Sequence, residues 1–148
     1  MTTFLIGYMA SGKTSLGKEL AVRLKRSFID IDTLIEDQMR MSIFEIFTKK
    51  GEKFFRDIEK NIIRNYKFQS NTIVATGGGT PCFYNNNQFL NSIGSTIYLK
   101  VSVEEILRRL ELTYTRPILA KKNLTLKSFV SNELKERERY YLKSDYII

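Results

Sequence analysis

The sequence predicts a three-layer α/β fold, with helices on both faces of a central parallel sheet of about five strands. Short apolar runs alternate along the chain with segments of helical periodicity, and this alternation is typical of such folds. The first three apolar runs end at glycine or aspartate. Ligands of α/β proteins bind beyond the carboxyl ends of the strands. The sequence therefore predicts a binding site where those glycines and aspartates gather.

The elements can be placed in order along the chain. Apolar runs predict strands at residues 4–7, 27–29, 72–75, 95–101 and 146–148. Period-3.6 patterns predict helices at residues 14–26, 33–39, 43–66, 103–112 and 126–142. The first helix carries Leu16, Leu20 and Leu24 on one face, whereas residues 83–91 are mixed and polar and receive no element. No repeat or linker divides the chain, so one domain over residues 1–148 is expected.

The amino-acid composition excludes several kinds of catalytic and metal site and indicates the kind of partner. The chain has no histidine, which excludes Ser-His triads, Cys-His pairs and H-E-x-x-H zinc sites. Cys82 is the one cysteine, so no internal disulfide forms and a reducing compartment is expected. The net charge of +8 favours an anionic partner, which includes nucleic acid, acidic lipid and small phosphorylated or carboxylated molecules. No signal peptide and no apolar run of ~18 residues is found, so a cytoplasmic protein is predicted.

The strongest motif is Gly-Tyr-Met-Ala-Ser-Gly-Lys-Thr at residues 7–14, a full match to G-x-x-x-x-G-K-[ST] between a predicted strand and a predicted helix. Glycines let backbone N–H groups converge on phosphate oxygens, and the helix start adds its positive dipole end. Lys13 would reach the β- and γ-phosphates of ATP, and the Thr14 hydroxyl would ligate Mg²⁺. A chance match on a glycine turn is the alternative, which the flanking strand and helix disfavour.

Asp30 and Asp32 come at the end of the second strand. Residues two apart in an extended segment point the same way, so both carboxylates are expected to face one site. One could hold Mg²⁺, usually through water, while the other accepts a hydrogen bond from an acceptor hydroxyl. A solvated strand end, or a helix N-cap formed by Asp32, is the alternative.

Glycines and arginines supply two further signals. Gly77, Gly78 and Gly79 follow the third strand and would let backbone approach a ligand closely, although a flexible turn is the alternative. Arginine suits bidentate binding of carboxylate and phosphate. Composition alone does not separate functional arginines from solvated surface charges, so it singles out none of Arg56, Arg109, Arg116 and Arg137.

With these segments in this order, the chain resembles the shikimate kinases, small P-loop kinases of the nucleoside monophosphate kinase fold. The resemblance runs from Phe4 to the last residue. It rests on the P-loop motif and on five further segments: residues 28–32, 51–59, 75–79 and 116–119, and Arg137 followed by Tyr141.

The resemblance implies residue roles. ATP would be bound by Gly7, Ala10, Ser11, Gly12, Lys13, Thr14, Ser15, Arg109 and Arg116, and shikimate by Asp32, Arg56, Glu59, Gly77, Gly78, Gly79 and Arg137. Thr14 and Asp30 would hold Mg²⁺, and Lys13, Asp32 and Arg116 would be catalytic. Asp32 would bind the acceptor hydroxyls and act as base, and Arg109 would pack on the adenine. Arg116 would lie in a mobile lid near residues 112–127 that closes over both substrates.

The implied activity is transfer of the ATP γ-phosphoryl group to the 3-hydroxyl of shikimate, a step in aromatic amino-acid biosynthesis. A monomer that binds neither nucleic acid nor membrane is expected. A kinase for gluconate or a nucleoside monophosphate is the alternative within the enzymes, and a basic nucleic-acid-binding protein is the alternative outside them.

The chain departs from the family pattern at two points. Ala10 stands where the family often has a further glycine, although the general motif leaves that position free. Family members usually continue with an adenine-binding loop and a terminal helix, and these segments are expected to be missing here.

Overall fold

A computed structural model describes residues 1–113 and 123–148, and in these residues one parallel sheet forms the centre of the molecule. Its strands are β1 (Thr2–Ile6), β2 (Ser27–Asp30), β3 (Thr72–Ala75), β4 (Gly94–Tyr98) and β5 (Tyr146–Ile147). The strand order is β2-β3-β1-β4-β5, and every neighbouring pair is parallel. The predicted three-layer α/β fold is confirmed.

Helices connect the strands and cover the sheet. They are α1 (Lys13–Leu24), α2 (Ile31–Met39), α3 (Ile43–Lys50), α4 (Glu52–Asn65), α5 (Asn86–Ile93), α6 (Val103–Thr113) and α7 (Asn123–Tyr141). A short 3₁₀ turn, Thr80–Cys82, lies between β3 and α5. No helix within the described ranges is long and apolar enough to cross a membrane.

The two faces of the sheet are buried by alternating residues of the same strands, as the period of a strand requires. In β1, Phe4 packs into the core under α2, α3 and α4, whereas Leu5 packs with Ala21 of α1. The buried face of α1 contains Gly17 and Ala21, while Leu24 is exposed, so the predicted leucine face is wrong at its end. Small residues there let the helix approach the sheet closely.

The helix predicted over residues 43–66 is two helices, because Gly51 interrupts it with a φ of +85°. Glycine adopts this left-handed angle without the steric cost that other residues carry. The second helix, α4, therefore leaves the turn in a new direction. The start of α3 is fixed by a capping box between Ser42 and Glu45.

Two elements in the second half of the chain, one helix and one strand, also differ from the prediction. The polar segment that received no element contains most of α5, because Asn86 and Asn87 are buried rather than solvated. The Asn86 side chain donates a hydrogen bond to the carbonyl oxygen of Thr80 at 3.0 Å. The following strand is Gly94–Tyr98, earlier and shorter than predicted.

This topology determines where the site lies. Because β1, β2 and β3 are parallel neighbours, their carboxyl ends meet at one edge of the sheet. The loop from Gly7 to Lys13, the end of β2 at Asp30 and the glycines from Gly77 to Gly79 therefore share that edge.

Candidate active site

The loop between β1 and α1 is shaped by its backbone angles. Gly7 and Gly12 have φ values of +154° and +95°. A Cβ on Gly7 would lie 2.8 Å from Ser11 Oγ and 3.0 Å from the carbonyl oxygen of Leu99, so space as well as backbone angle requires glycine there. Ala10 has a φ of 58°, an angle that alanine tolerates less readily than glycine. The loop thus keeps its curve without the additional glycine.

Lys13, the first residue of α1, folds back over this loop. Its Nζ donates hydrogen bonds to the carbonyl oxygens of Gly7 at 2.8 Å and Tyr8 at 2.7 Å. Burial lowers the pKa of Lys13 to about 8, while the charges of Asp32 and Asp30 oppose that change. The amine is therefore still mostly protonated at pH 7 and provides a positive charge at the mouth of the loop.

Asp30 links the end of β2 to both neighbouring helices. Its Oδ2 accepts a hydrogen bond from Thr14 Oγ1 at 2.8 Å, and its Oδ1 accepts one from the backbone N–H of Asp32 at 3.0 Å. The extended segment predicted to carry both aspartates is wrong, because α2 begins at Ile31. Asp30, and not Asp32, is the N-cap of α2, and Asp32 lies in the first turn.

The Thr14 and Asp30 pair fits a magnesium ion. Hydroxyl and carboxylate oxygens are the hard ligands that Mg²⁺ prefers, and Mg²⁺ usually takes one or two carboxylates together with substrate phosphates. Across residues 1–113 and 123–148 there is no group of three or more histidine, cysteine, aspartate or glutamate side chains that could hold a metal. A site completed by phosphate oxygens is thus the kind that these residues can form.

A cavity of about 380 Å³ lies beside the loop and brings together all seven residues predicted to bind the acceptor. We call it the acceptor cavity. Its lining residues are Met9, Asp32, Ile43, Phe47, Glu52, Phe55, Arg56, Glu59, Gly77, Gly78, Gly79, Glu133 and Arg137. Four carboxylates and two guanidinium groups are among them, so the cavity is strongly charged but not simply positive.

Asp32 is a largely buried carboxylate of this cavity with an altered pKa. Burial raises the pKa of Asp32 to about 6, and the charges of Asp30 and Glu59 raise it further, against the opposing effects of Lys13 and Arg56. A carboxylate with a pKa near the working pH is suited to accept a proton from a hydroxyl.

Arg56, on α4, is held on all sides. Its side chain is 8% exposed, and its Nη1 donates to Glu59 Oε2 at 2.8 Å. The guanidinium carbon lies 4.9 Å from the ring centroid of Phe55 and 4.3 Å from that of Phe83. Glu59 is fully buried, and its other oxygen accepts a hydrogen bond from Thr80 Oγ1 at 2.5 Å. The guanidinium therefore has one fixed orientation in the cavity.

The triple glycine is required by close packing rather than by flexibility. A Cβ on Gly79 would lie 2.7 Å from Cζ of Arg56. A Cβ on Gly77 would lie 3.0 Å from Oδ1 of Asp32. Side chains at these positions would displace the charged groups of the acceptor cavity.

Arg137, on α7, also lines the cavity. Its Nη2 donates to Glu133, which also accepts a hydrogen bond from the Tyr8 hydroxyl. One turn further on, the Tyr141 hydroxyl donates to the carbonyl oxygen of Gly78 at 2.5 Å. Sequence reasoning missed Glu133, although the i,i+4 spacing of Glu133 and Arg137 on a predicted helix was a usable signal.

A second cavity, of about 530 Å³, lies on the other side of the loop. Its lining includes Ala10, Ser11, Gly12, Ser15 and Arg109 from the predicted nucleotide-binding set. Arg109 Nη1 donates to the carbonyl oxygen of Ala10 at 3.1 Å, and its Nε donates to Glu105 at 2.6 Å.

The roles assigned to the site residues remain predictions. The packing of Arg109 on adenine is not tested by this geometry. Arg116, and with it residues 114–122 of the predicted lid, lies outside the described residues.

Comparisons with known proteins agree with one another. The family model for shikimate kinase matches residues 9–148. A shikimate kinase from Parabacteroides distasonis is 44% identical over 143 residues, which cover 95% of this chain and 83% of that protein. The crystal structure of shikimate kinase from Bacteroides thetaiotaomicron has a TM-score of 0.92 and 39% identity, and the match covers 100% of this chain and 85% of that one. The structure of the Acinetobacter baumannii enzyme in complex with shikimate has a TM-score of 0.87 and 34% identity, with 99% and 82% covered.

Proposed function

The chain belongs to the shikimate kinase family, and from that premise we propose how its residues transfer the γ-phosphoryl group of ATP to the 3-hydroxyl of shikimate. One observation carries the residue assignment: Asp32, Arg56 and Arg137 line a single cavity that opens beside the phosphate-binding loop. The cavity thus offers a proton acceptor and two groups for a carboxylate within reach of one small molecule.

The loop and the start of α1 bind the nucleotide. Backbone N–H groups from Gly7 to Ser15 surround the phosphates, and Lys13 stabilises the charge that develops on the transferred group. Thr14 and Asp30 would hold Mg²⁺, which supplies, when bound, neutralisation of charge on the β- and γ-phosphate oxygens. Phosphoryl transfer depends mainly on such positioning and charge stabilisation.

Arg56 and Arg137 bind the carboxylate of shikimate, each as a planar group with several N–H donors. Both guanidinium groups are already paired with glutamates, so they are oriented before the substrate arrives. Glu59, buried between Arg56 and Thr80, acts as a positioning residue for the first arginine.

Asp32 orients the acceptor hydroxyl and accepts its proton. The hydroxyl oxygen forms a bond to the γ-phosphorus as the bond from that phosphorus to the bridging oxygen of ADP breaks. The proton passes to the Asp32 carboxylate and from there to solvent. The pKa of about 6 keeps Asp32 ionised at neutral pH and ready for this step.

Three further parts of the proposal rest on the family resemblance. Arg116 closes over both substrates and stabilises the transferred group, and Arg109 packs on the adenine. Residues 112–127 serve as the lid. We also propose that residues 1–148 act as one kinase domain and as a monomer, with small molecules rather than nucleic acid or membrane as partners.

A coupled assay of ADP release tests the function. Shikimate, gluconate and nucleoside monophosphates are offered separately with ATP and Mg²⁺, and only shikimate is expected to support turnover. Protein carrying Lys13→Ala, prepared in the same way, controls for contaminating kinases. Comparable kcat/KM with gluconate or a nucleoside monophosphate would overturn the proposal.

A further inference from the structure

Tyr8, Glu133 and Arg137 form a connected set that links the phosphate-binding loop to the acceptor cavity. Tyr8 is the second residue of the loop and is 1% exposed. Its hydroxyl donates to one oxygen of Glu133, and the other oxygen of Glu133 accepts from Nη2 of Arg137. The guanidinium carbon lies 5.6 Å from the centroid of the Tyr8 ring. Each member therefore contacts the other two.

This set differs from ordinary packing because two of its members face the acceptor. Glu133 and Arg137 both line the acceptor cavity, with side chains 23% and 19% exposed. Nη2 of Arg137 is engaged by Glu133, whereas Nη1 lies toward the glycine turn, 3.6 Å from where a Cβ of Gly78 would stand. Glu133 thus fixes which edge of the guanidinium faces the cavity.

A carboxylate at this position has two possible consequences of opposite sign. As a second negative charge beside the substrate carboxylate, Glu133 would weaken acceptor binding by repulsion. As the group that orients Arg137, it would strengthen binding, since bidentate pairing requires the guanidinium to be aligned. The Tyr8 hydrogen bond favours the second, because it holds the Glu133 carboxylate against the loop and against the arginine.

We propose that Glu133 is a positioning residue, anchored by the Tyr8 hydroxyl, that orients Arg137 toward the carboxylate of the acceptor. The inference rests on the proposed function of Arg137. Tyr8 is the second residue of the loop, and it contacts both parts of the site. Its side chain donates to Glu133 at the acceptor cavity, while its carbonyl oxygen accepts a hydrogen bond from Lys13 at 2.7 Å.

The test is steady-state kinetics of Glu133→Gln and Tyr8→Phe. We expect the KM for shikimate to rise about tenfold in Glu133→Gln, which removes the charged partner of Arg137. The rise should be about twofold to fivefold in Tyr8→Phe, which removes one hydrogen bond to that carboxylate and acts on Arg137 indirectly. The KM for ATP should stay within about twofold in both, because a positioning effect on Arg137 does not reach the nucleotide.

A matched control pairs a residue of β4 with one of α7. Tyr98 is also buried, and its hydroxyl donates to Glu138 at 3.3 Å, but Glu138 pairs with Lys100 outside the acceptor cavity. Tyr98→Phe and Glu138→Gln remove the same groups and should leave the KM for shikimate unchanged. Thermal melting of all four variants reports the purely structural contribution.

A double-mutant cycle completes the test. If Glu133 acts through Arg137, the effect of Glu133→Gln on kcat/KM for shikimate should disappear in an Arg137→Met background. A fall or no change in the shikimate KM, an equal rise in both KM values, or the same shift in the control pair would each overturn the inference. Wild-type protein inactive toward shikimate would instead overturn the proposed function, so the two failures are distinguishable.

Discussion

The phosphate-binding loop and the acceptor cavity are neighbours built in different ways. The loop consists of the six consecutive residues between β1 and α1, and its form depends on backbone angles at Gly7, Ala10 and Gly12. The acceptor cavity takes side chains from α2, α3, α4 and α7 and backbone from the turn after β3. A local motif therefore specifies the loop, whereas only the assembled fold specifies the cavity.

The cationic groups of the two regions also have different partners. The ammonium of Lys13 is bound by neutral carbonyl oxygens and one hydroxyl, so it can be transferred to phosphate oxygens when a nucleotide binds. Arg56 and Arg137 are each paired with glutamates and are held in place. Changes in the loop should therefore affect the rate of transfer, and changes in the cavity should affect acceptor binding.

The largest effect is expected in the loop. Lys13→Ala should lower kcat by about 10²–10³, the usual loss on removal of one preorganised group that stabilises transition-state charge. Shikimate affinity, measured by calorimetry, should remain close to that of the wild type, since Lys13 does not line the acceptor cavity. A variant that keeps most of its kcat would contradict the difference drawn between the two regions.

Conservative changes in the cavity should have the next largest effect. Arg56→Lys and Arg137→Lys keep the charge but lose the planar fork, so each should raise the KM for shikimate by about 10–100-fold, or roughly 1.5–3 kcal/mol. The KM for ATP should change much less. Arg23→Lys, at an exposed ion pair with Glu19 on α1, is the matched control. Equal shifts in the two KM values would show that the arginines do not act on the acceptor.

A pair of glycine variants distinguishes the effect of steric crowding from the effect of a positive φ angle. Gly79→Ala places a Cβ 2.7 Å from Cζ of Arg56 at an ordinary φ of −90°, so it should raise the shikimate KM about tenfold by displacing that arginine. Gly51→Ala has open space but a φ of +85°, so it should lower stability by about 1 kcal/mol and leave the KM unchanged. Chemical denaturation and kinetics of both proteins check the prediction, which fails if the two variants behave alike.

The remaining predictions concern the titration of Asp32. Because burial raises the pKa of Asp32 to about 6, kcat/KM for shikimate should fall as the pH drops through 6, where the protonated carboxyl no longer accepts a proton. A pH profile that is flat between about 5 and 7 would contradict the role of Asp32.

The same raised pKa has a consequence for stability. The folded protein binds a proton at Asp32 more tightly than the unfolded chain, so this group destabilises the fold increasingly as the pH rises from 3.8 to about 6. Asp32→Asn should therefore be more stable than the wild type at pH 7, by on the order of 3 kcal/mol, and the difference should become small near pH 4. Denaturation at the two pH values measures it.

The loop could be predicted from the sequence more fully than the acceptor cavity. The motif from Gly7 to Thr14 and the strand ends could be placed because their signals are local. The arginines of the acceptor cavity could be singled out only by resemblance, since nothing local distinguishes Arg56 from exposed Arg23. Glu133 was missed because its importance depends on Tyr8, which is 125 residues away in the chain.

The two errors have different causes. One extended segment carrying both aspartates is a wrong prediction for a local reason, because Asp30 is an N-cap, a position that aspartate favours, and its hydrogen bond from the Asp32 N–H begins α2. Helix α5 was missed because Asn86 and Asn87 are polar yet buried. For α5, burial within the fold overrides the pattern of polar and apolar residues.

The most direct measurement compares shikimate with its methyl ester as acceptors for the wild-type enzyme. The ester keeps the ring and its hydroxyls but carries no negative charge for Arg56 and Arg137. The account predicts that kcat/KM falls by about 100-fold or more with the ester, as expected when charged hydrogen bonds to two guanidinium groups are lost, while the KM for ATP is unchanged. Equal kcat/KM for the acid and the ester would contradict the claim that the acceptor cavity binds its substrate through the carboxylate.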